Sequence, residues 1–296
     1  MTRPRIYVTG PVLDAVREAL ERSFELMKSP AGAQGLLVMA GGPVGDELLD
    51  AAGDDVRVVA NYGVGVDNID LEATRRRGIV VANTPGVLTA AVAEHTIALL
   101  LALVRRVAEG DRFVRRQEPW QWTPTFMLSS GLGGKTIGIV GFGRIGREVA
   151  RLAEAHGMEV IWTRQRGGVP LAELLARADV VSLHCPLMPE TRHLIDADGL
   201  GVMKPTALLV NTARGAIVDE QALVAALREG RIAGAALDVF EHEPDVPAEL
   251  LELDNVVLTP HLGSATFEAR EAMGRLCVEA LRAVLLEGRR PENTVD

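Results

Sequence analysis

Cysteine is nearly missing from this chain of 296 residues. Cys185 and Cys277 are too few and too far apart for a metal-ligand spacing or a disulfide framework. They point to a reducing, cytoplasmic setting, with both thiols as small apolar side chains. No histidine has ligand spacing either, so no metal is expected. Long hydrophobic runs are also missing. The most apolar stretch, Ile97–Val104, falls far short of the roughly 20 apolar residues that a bilayer requires, so it reads as a buried or interface helix. The start, Met1-Thr2-Arg3-Pro4, leads directly into apolar Ile6–Val8, and no targeting segment or membrane partner is expected. There is no excess of positive charge: the formal net charge is −9, which argues against a broad nucleic-acid face. An anionic ligand must therefore be met by local arginines. No repeat and no low-complexity tract is visible. What is present is 48% hydrophobic and long enough for two domains, each with its own core.

The first third alternates short apolar strands with helical patterns: strand Arg5–Val8, helix Leu13–Ser23, strands Phe24–Met27 and Leu36–Met39, helix Asp46–Ala52 and strand Val56–Ala60. This is the pattern of a parallel sheet covered by helices. Asn61 to Asn68 follow the last of these strands, with Gly63 and Gly65 leaving backbone N–H groups at a strand's carboxyl end. Ligands of open α/β sheets bind in such crevices, and a substrate carboxylate fits there. Strand Ile79–Ala82 and the turn Thr84-Pro85-Gly86 precede a single long helix expected from about Ala90 to Arg116. Glu118–Ser130, with Trp120 and Trp122, reads as an irregular aromatic arm, packed on a partner subunit or folded over its own domain.

Thr136–Arg166 reads as strand, turn, helix and second strand. Gly141, Gly143 and Gly146 have G-x-G-x-x-G spacing between apolar Thr136–Val140 and a helical run to His156. The first glycine serves a tight turn, the second lets backbone approach a pyrophosphate, and the third lets helix pack on strand. A diphosphate would sit on the N–H groups at the helix N-terminus. Cofactor choice is read at the end of the second strand. A ribose 2′-hydroxyl calls for a carboxylate about 20 residues after the glycines, and a 2′-phosphate calls for arginine. The chain places Thr163, Arg164, Gln165 and Arg166 there, with no carboxylate between Val160 and Pro170. Guanidinium forks attract the extra phosphate. NADP(H) is predicted as the preferred cofactor, with NAD(H) possible, Arg164 as main ligand and Thr163 and Arg166 beside it.

Further strands are expected at Val180–His184, Ala207–Asn211, Gly234–Asp238 and Val256–Thr259. Their ends bring Arg214, Asp238 and His261 to one crevice. Reducing a 2-oxo acid needs a cation for the carboxylate, a proton donor for the ketone oxygen and a hydride at the ketone carbon. Arg214 supplies a fork suited to carboxylate. His261 supplies a proton near neutral pH. Glu243 can fix the imidazole tautomer and support its protonated form.

At these residues the chain resembles the D-isomer-specific 2-hydroxyacid dehydrogenase family. The matching motifs run from Gly63 to Asp70, from Gly141 to Gly146, from Asn211 to Gly215, from Leu237 to Pro244 and from Thr259 to Ser264. The resemblance implies Arg214 as substrate binder, Glu243 as orienter, His261 as acid/base and Asp238 on the nicotinamide carboxamide. It further implies Val64 and Gly65 N–H groups on the substrate carboxylate. Arg144, Ile145, Cys185, Pro186, Thr191, Thr212, Ala213 and Gly263 would line the cofactor site, and the nucleotide domains would form a homodimer. The fold it implies is α/β, with two doubly wound parallel-sheet domains: a Rossmann dinucleotide-binding domain (96–263) inserted into a flavodoxin-like substrate domain (1–95, completed by a C-terminal helix in 264–296). Arg164 and the arm look most like glyoxylate/hydroxypyruvate reductases, in which an arm aromatic, here Trp122 or Phe126, approaches the neighbouring subunit's site. Glu243, where formate dehydrogenases of the family carry glutamine, argues against that activity. The alternatives are an NAD-linked D-lactate or phosphoglycerate dehydrogenase, which Arg164 disfavours, and a non-catalytic nucleotide-sensing protein on the same fold, which the intact trio disfavours.

Of the remaining polar residues, His95 reads as a core or interface histidine on an apolar helix. His156 suits a helix C-terminus. Arg75-Arg76-Arg77 reads as a solvated helix end.

Overall fold

The computed structural model describes residues 3–295, and the chain divides into two compact units. The first runs to Leu88 and resumes at Ser264; the second is Thr89–Gly263. The earlier break thus falls at Leu88/Thr89 rather than at 95/96. The helix that begins at Thr89 packs on the second unit's sheet and helices and so goes with them.

The first unit contains β1 (Arg5–Val8), α1 (Asp14–Ser23), β2 (Glu25–Met27), β3 (Gly35–Met39), α2 (Asp46–Ala52), β4 (Val58–Tyr62), α3 (Leu71–Arg76) and β5 (Val80–Ala82). All its strands pair in parallel, in the order β2-β1-β3-β4-β5, which is the flavodoxin-like order. Every residue of β4 is buried, as a strand covered on both faces requires. β4 also runs further than the pattern suggested: Asn61 and Tyr62 continue the ladder opposite Val38 and Met39. Leu36, Val38, Val59 and Val81 face one core with Leu49, Ala52 and Ala73. The other face is covered by α1 and by the chain's last helix, Phe267–Leu285. There Gly35 and Gly274 leave room for Leu281 and Val16.

The second unit contains α4 (Thr89–Val104), α5 (Val107–Arg115), β6 (Thr136–Val140), α6 (Arg144–Ala155), β7 (Glu159–Thr163), α7 (Leu171–Arg177), β8 (Val180–Leu183), α8 (Ala197–Val202), β9 (Leu208–Asn211), α9 (Glu220–Arg228), β10 (Gly234–Leu237), α10 (Ala248–Leu251) and β11 (Val256–Leu258). The six strands are parallel in the order β11-β10-β9-β8-β6-β7. Successive residues serve opposite cores. Val140, Val181, Leu183, Leu209 and Leu237 pack under α7 to α9, whereas Ile137, Ile139, Val180, Val210 and Ala236 pack under α4 and α6. The sheet is therefore doubly wound. Its direction reverses between β6 and β8, where ligands of open α/β sheets bind.

The single helix expected over Ala90–Arg116 is two helices. Arg106 takes a left-handed φ of 55°, its guanidinium held by Glu109 at 2.6 and 2.7 Å and donating to the Leu128 carbonyl at 3.2 Å. α4 is apolar nearly all round and half of it is buried, whereas α5 buries none of its residues. The chain therefore breaks where the core ends. Residues 118–133 contain no helix or strand, and no helix among the described residues is long and apolar enough to cross a membrane.

Candidate active site

One ladder rung sets the site in the second unit. Thr163, Val140, Leu183, Asn211, Leu237 and Leu258 are paired in sequence across all six strands. Every following loop therefore leaves from the same edge of the sheet.

The loop after β6 is the glycine turn. Gly141 has φ 97°, and a Cβ there would lie 2.4 Å from the Cys185 nitrogen, so only glycine lets the turn nest against the end of β8. A Cβ on Gly146 would lie 2.2 Å from the Gly141 carbonyl oxygen, so only glycine lets α6 close on β6. Gly143 faces open space and N-caps α6 without a side-chain hydrogen bond. The first N–H groups of this twelve-residue helix are therefore not taken by a cap side chain, which is the cradle a diphosphate needs. Arg144 is exposed at the first helical position and Ile145 is half-buried.

β7 ends at Thr163, and the loop after it carries Arg164 and Arg166, both exposed. The loop after β8 opens with His184 and Cys185; burial pushes the Cys185 thiol up to about 11, so it stays protonated and apolar. His184 beside it is pushed down to about 3 by burial and stays neutral. The Thr191 hydroxyl donates to the Pro186 carbonyl at 2.7 Å and accepts from Met188 N–H at 2.8 Å, so it shapes this loop. After β9, Asn211 accepts from Ala213 N–H at 3.0 Å and donates to the Arg214 carbonyl at 2.8 Å. The Thr212 hydroxyl pairs with Thr96 of α4 at 2.9 Å. Gly215 packs on the backbone of Phe240, leaving no room for a Cβ, and so joins the Arg214 turn to the loop after β10.

That loop supplies Glu243. Its Oε2 accepts from His261 Nδ1 at 2.8 Å and its Oε1 from Phe240 N–H at 3.1 Å. Burial pushes the Glu243 carboxyl up, but the His261 contact, the Phe240 N–H and the nearby Arg214 charge outweigh it. Its pKa lies below the ordinary value, and Glu243 is an anion at neutral pH. The predicted trio therefore gathers in one place. His261 follows β11, is exposed enough to be reached, and takes φ 55°. A non-glycine residue holds that conformation only where its surroundings impose it.

What imposes it is Asp238, buried with 1% exposure. Its carbonyl accepts from His261 N–H at 2.8 Å. Its Oδ1 accepts from Leu262 N–H at 2.7 Å and Thr259 Oγ1 at 2.6 Å, and its Oδ2 from Gly263 N–H at 2.7 Å. The donors overcome the upward push of burial and hold its pKa low. Gly263 N–H is thus engaged within the protein. His95 of α4 completes the set, with Nε2 at 3.1 Å from Asp238 Oδ1 and 3.2 Å from Thr259 Oγ1. Sequence reasoning missed this partnership, because His95 and Asp238 lie 143 residues apart with no local pattern linking them.

In the first unit, the loop after β4 carries Val64 and Gly65. Asn61 donates to the Gly65 carbonyl at 2.7 Å and Asn83 to the Val64 carbonyl at 2.8 Å, so both carbonyls are held from within the unit. Among the described residues no cluster of histidine, cysteine and acidic side chains could hold a metal ion.

Residues 97–263 match the family model described as D-isomer specific 2-hydroxyacid dehydrogenase, NAD binding domain. A glyoxylate reductase of Pyrococcus furiosus is 46% identical over 95% of this chain and 92% of its own length. A glyoxylate reductase of Aeropyrum pernix is 45% identical over 100% and 97%. Among solved structures, an NADPH-dependent glyoxylate/hydroxypyruvate reductase of Sinorhizobium meliloti, crystallised with NADP and malonate, superposes with a TM-score of 0.87 at 36% identity. It covers 99% of this chain and 97% of its own. The glycine turn, the His261–Glu243 pair and these matches establish that the chain belongs to the D-isomer-specific 2-hydroxyacid dehydrogenase family and is a nicotinamide-dependent oxidoreductase acting on 2-oxo and 2-hydroxy acids.

Proposed function

We propose that the protein reduces a small 2-oxo acid, glyoxylate or hydroxypyruvate, with NADPH as the preferred cofactor and NADH as a poorer one. The observation that carries this reading is the 2.8 Å contact between His261 Nδ1 and Glu243, at the sheet edge where the glycine turn lies. Names of the relatives support the substrate class: both archaeal proteins are glyoxylate reductases. The basic turn Thr163–Arg166, free of carboxylates, supports the 2′-phosphate.

The residues divide the work. Gly141, Gly143, Arg144, Ile145 and Gly146 hold the diphosphate; Thr163, Arg164 and Arg166 hold the 2′-phosphate. Cys185, Pro186, Thr191, Thr212, Ala213 and Gly263 shape the wall along the nicotinamide half, with Asp238 behind it. When bound, the cofactor supplies the hydride. Arg214 orients the substrate carboxylate through its fork, and the Val64 and Gly65 N–H groups of the first unit are carboxylate donors. Glu243 accepts from Nδ1, which assigns the transferable proton to Nε2 of His261. His261 gives that proton to the ketone oxygen as the alcohol forms, and takes it back in oxidation.

The arm supports a homodimer. Trp122 is 74% exposed, whereas Phe126 is engaged within its own chain, stacked on Trp120 of the arm at 5.9 Å and edge-on to Phe113 of α5 at 5.7 Å. Trp122 is therefore the aromatic offered to a second subunit. The deciding experiment is a kinetic panel of 2-oxo acids with NADPH and with NADH. Turnover of glyoxylate or hydroxypyruvate with a lower KM for NADPH is expected. Cofactor binding without turnover of any member would leave a nucleotide sensor, and equal KM values for the two cofactors would remove the 2′-phosphate assignment.

A further inference from the structure

The basic turn after β7 is built on an aromatic platform. Trp162 stacks on Phe142 of the glycine turn, with ring centroids 4.6 Å apart and planes within 10°. The Arg164 guanidinium lies over the indole, 5.4 Å from its centroid, and the Arg147 guanidinium lies 5.9 Å from that of Phe142. The turn folds back on the same indole. Arg164 N–H donates to the Gly167 carbonyl at 3.2 Å, Thr163 bridges Gly168, and Val169 N–H donates to the Trp162 carbonyl at 2.9 Å. Gly168 has φ 81°, and a Cβ there would lie 2.1 Å from the Trp162 oxygen and 2.6 Å from its ring. The Arg164 Nε donates to the Arg166 carbonyl at 2.9 Å, which leaves the terminal amino groups as the exposed end of the fork.

We propose that Trp162 is a specificity-determining residue: its indole, braced by Phe142, holds the Arg164 guanidinium in place for the 2′-phosphate of NADPH. The inference rests on the NADPH reading above and adds a residue to it. A free arginine side chain loses rotamer freedom when it grips a phosphate, and a guanidinium already parked on a ring loses less. The platform therefore favours the phosphorylated ribose selectively. NADH lacks the phosphate and gains nothing from it.

The test is equilibrium binding of NADPH and NADH, read by cofactor fluorescence. Trp162→Met keeps side-chain bulk against Phe142 but removes the ring face. It is expected to weaken NADPH about fivefold, the order of one exposed cation–π contact, and to leave NADH unchanged. Trp162→Phe should restore most of the ratio. Equal weakening of both cofactors, or an unchanged ratio, would overturn the proposal. Arg164→Ala separates the two claims. A wild type with no NADPH preference defeats the cofactor reading itself, whereas a preference abolished by Arg164→Ala but untouched by Trp162→Met defeats only the platform. Should Trp162→Met not fold, a chain with Trp120→Phe and Trp122→Phe leaves Trp162 as the sole tryptophan of the original three. Its emission should respond to adenosine 2′-monophosphate and not to the 5′-isomer; the same response to both overturns the platform.

Discussion

His261 holds a left-handed backbone angle because its neighbours' N–H groups are spoken for by a single buried carboxylate. His261→Ala should lower kcat by about 10²–10⁴, the usual worth of one positioned general acid, while NADPH affinity by fluorescence stays near wild type. Normal turnover would reject the assigned role. Asp238→Asn should alter stability in a pH-dependent way. The folded pKa of Asp238 is depressed, so its contribution is complete above the unfolded value near 3.9 and is lost as pH falls through the folded value. Urea midpoints of wild type and variant should therefore differ most at neutral pH and converge in acid; a constant gap would contradict the assignment. The trio itself was legible in the sequence, since Arg214, Glu243 and His261 each follow a short apolar strand. The brace beneath it was not, because neither His95 nor Thr259 has a local pattern that announces a contact across the sheet.

Among the elements, the parallel strands were legible because alternate residues serve two cores, and the glycine turn because its spacing is a local steric requirement. The break between α4 and α5 was hidden: apolar and arginine residues continue the helical pattern through it, and its causes are Glu109 and a carbonyl of the distant arm. The third fingerprint glycine gives the sharpest test of an element's position. Gly146→Ala would press a methyl against the Gly141 carbonyl, where backbone must move. NADPH affinity is expected to fall at least tenfold, about 1.4 kcal/mol, with the thermal midpoint also lowered. An unchanged affinity would mean that α6 is free to shift without disturbing the diphosphate cradle.

For the molecule as a whole, the exposed arm indole predicts assembly. Trp122→Ala should shift the sedimentation of the protein toward the monomer, or lower kcat/KM at concentrations where the dimer persists. If neither changes, Trp122 has no role between subunits. A last consequence belongs to the order in which the ribosome delivers the chain. The first unit is in two pieces, joined where Leu281 of the closing helix packs on Gly35 and Val16 packs on Gly274 of that helix. The nucleotide-binding unit is uninterrupted and can finish while the earlier sheet still waits for its cover. A chain truncated after Gly263 and released should therefore resist protease from Thr89 onward while its amino-terminal part is digested.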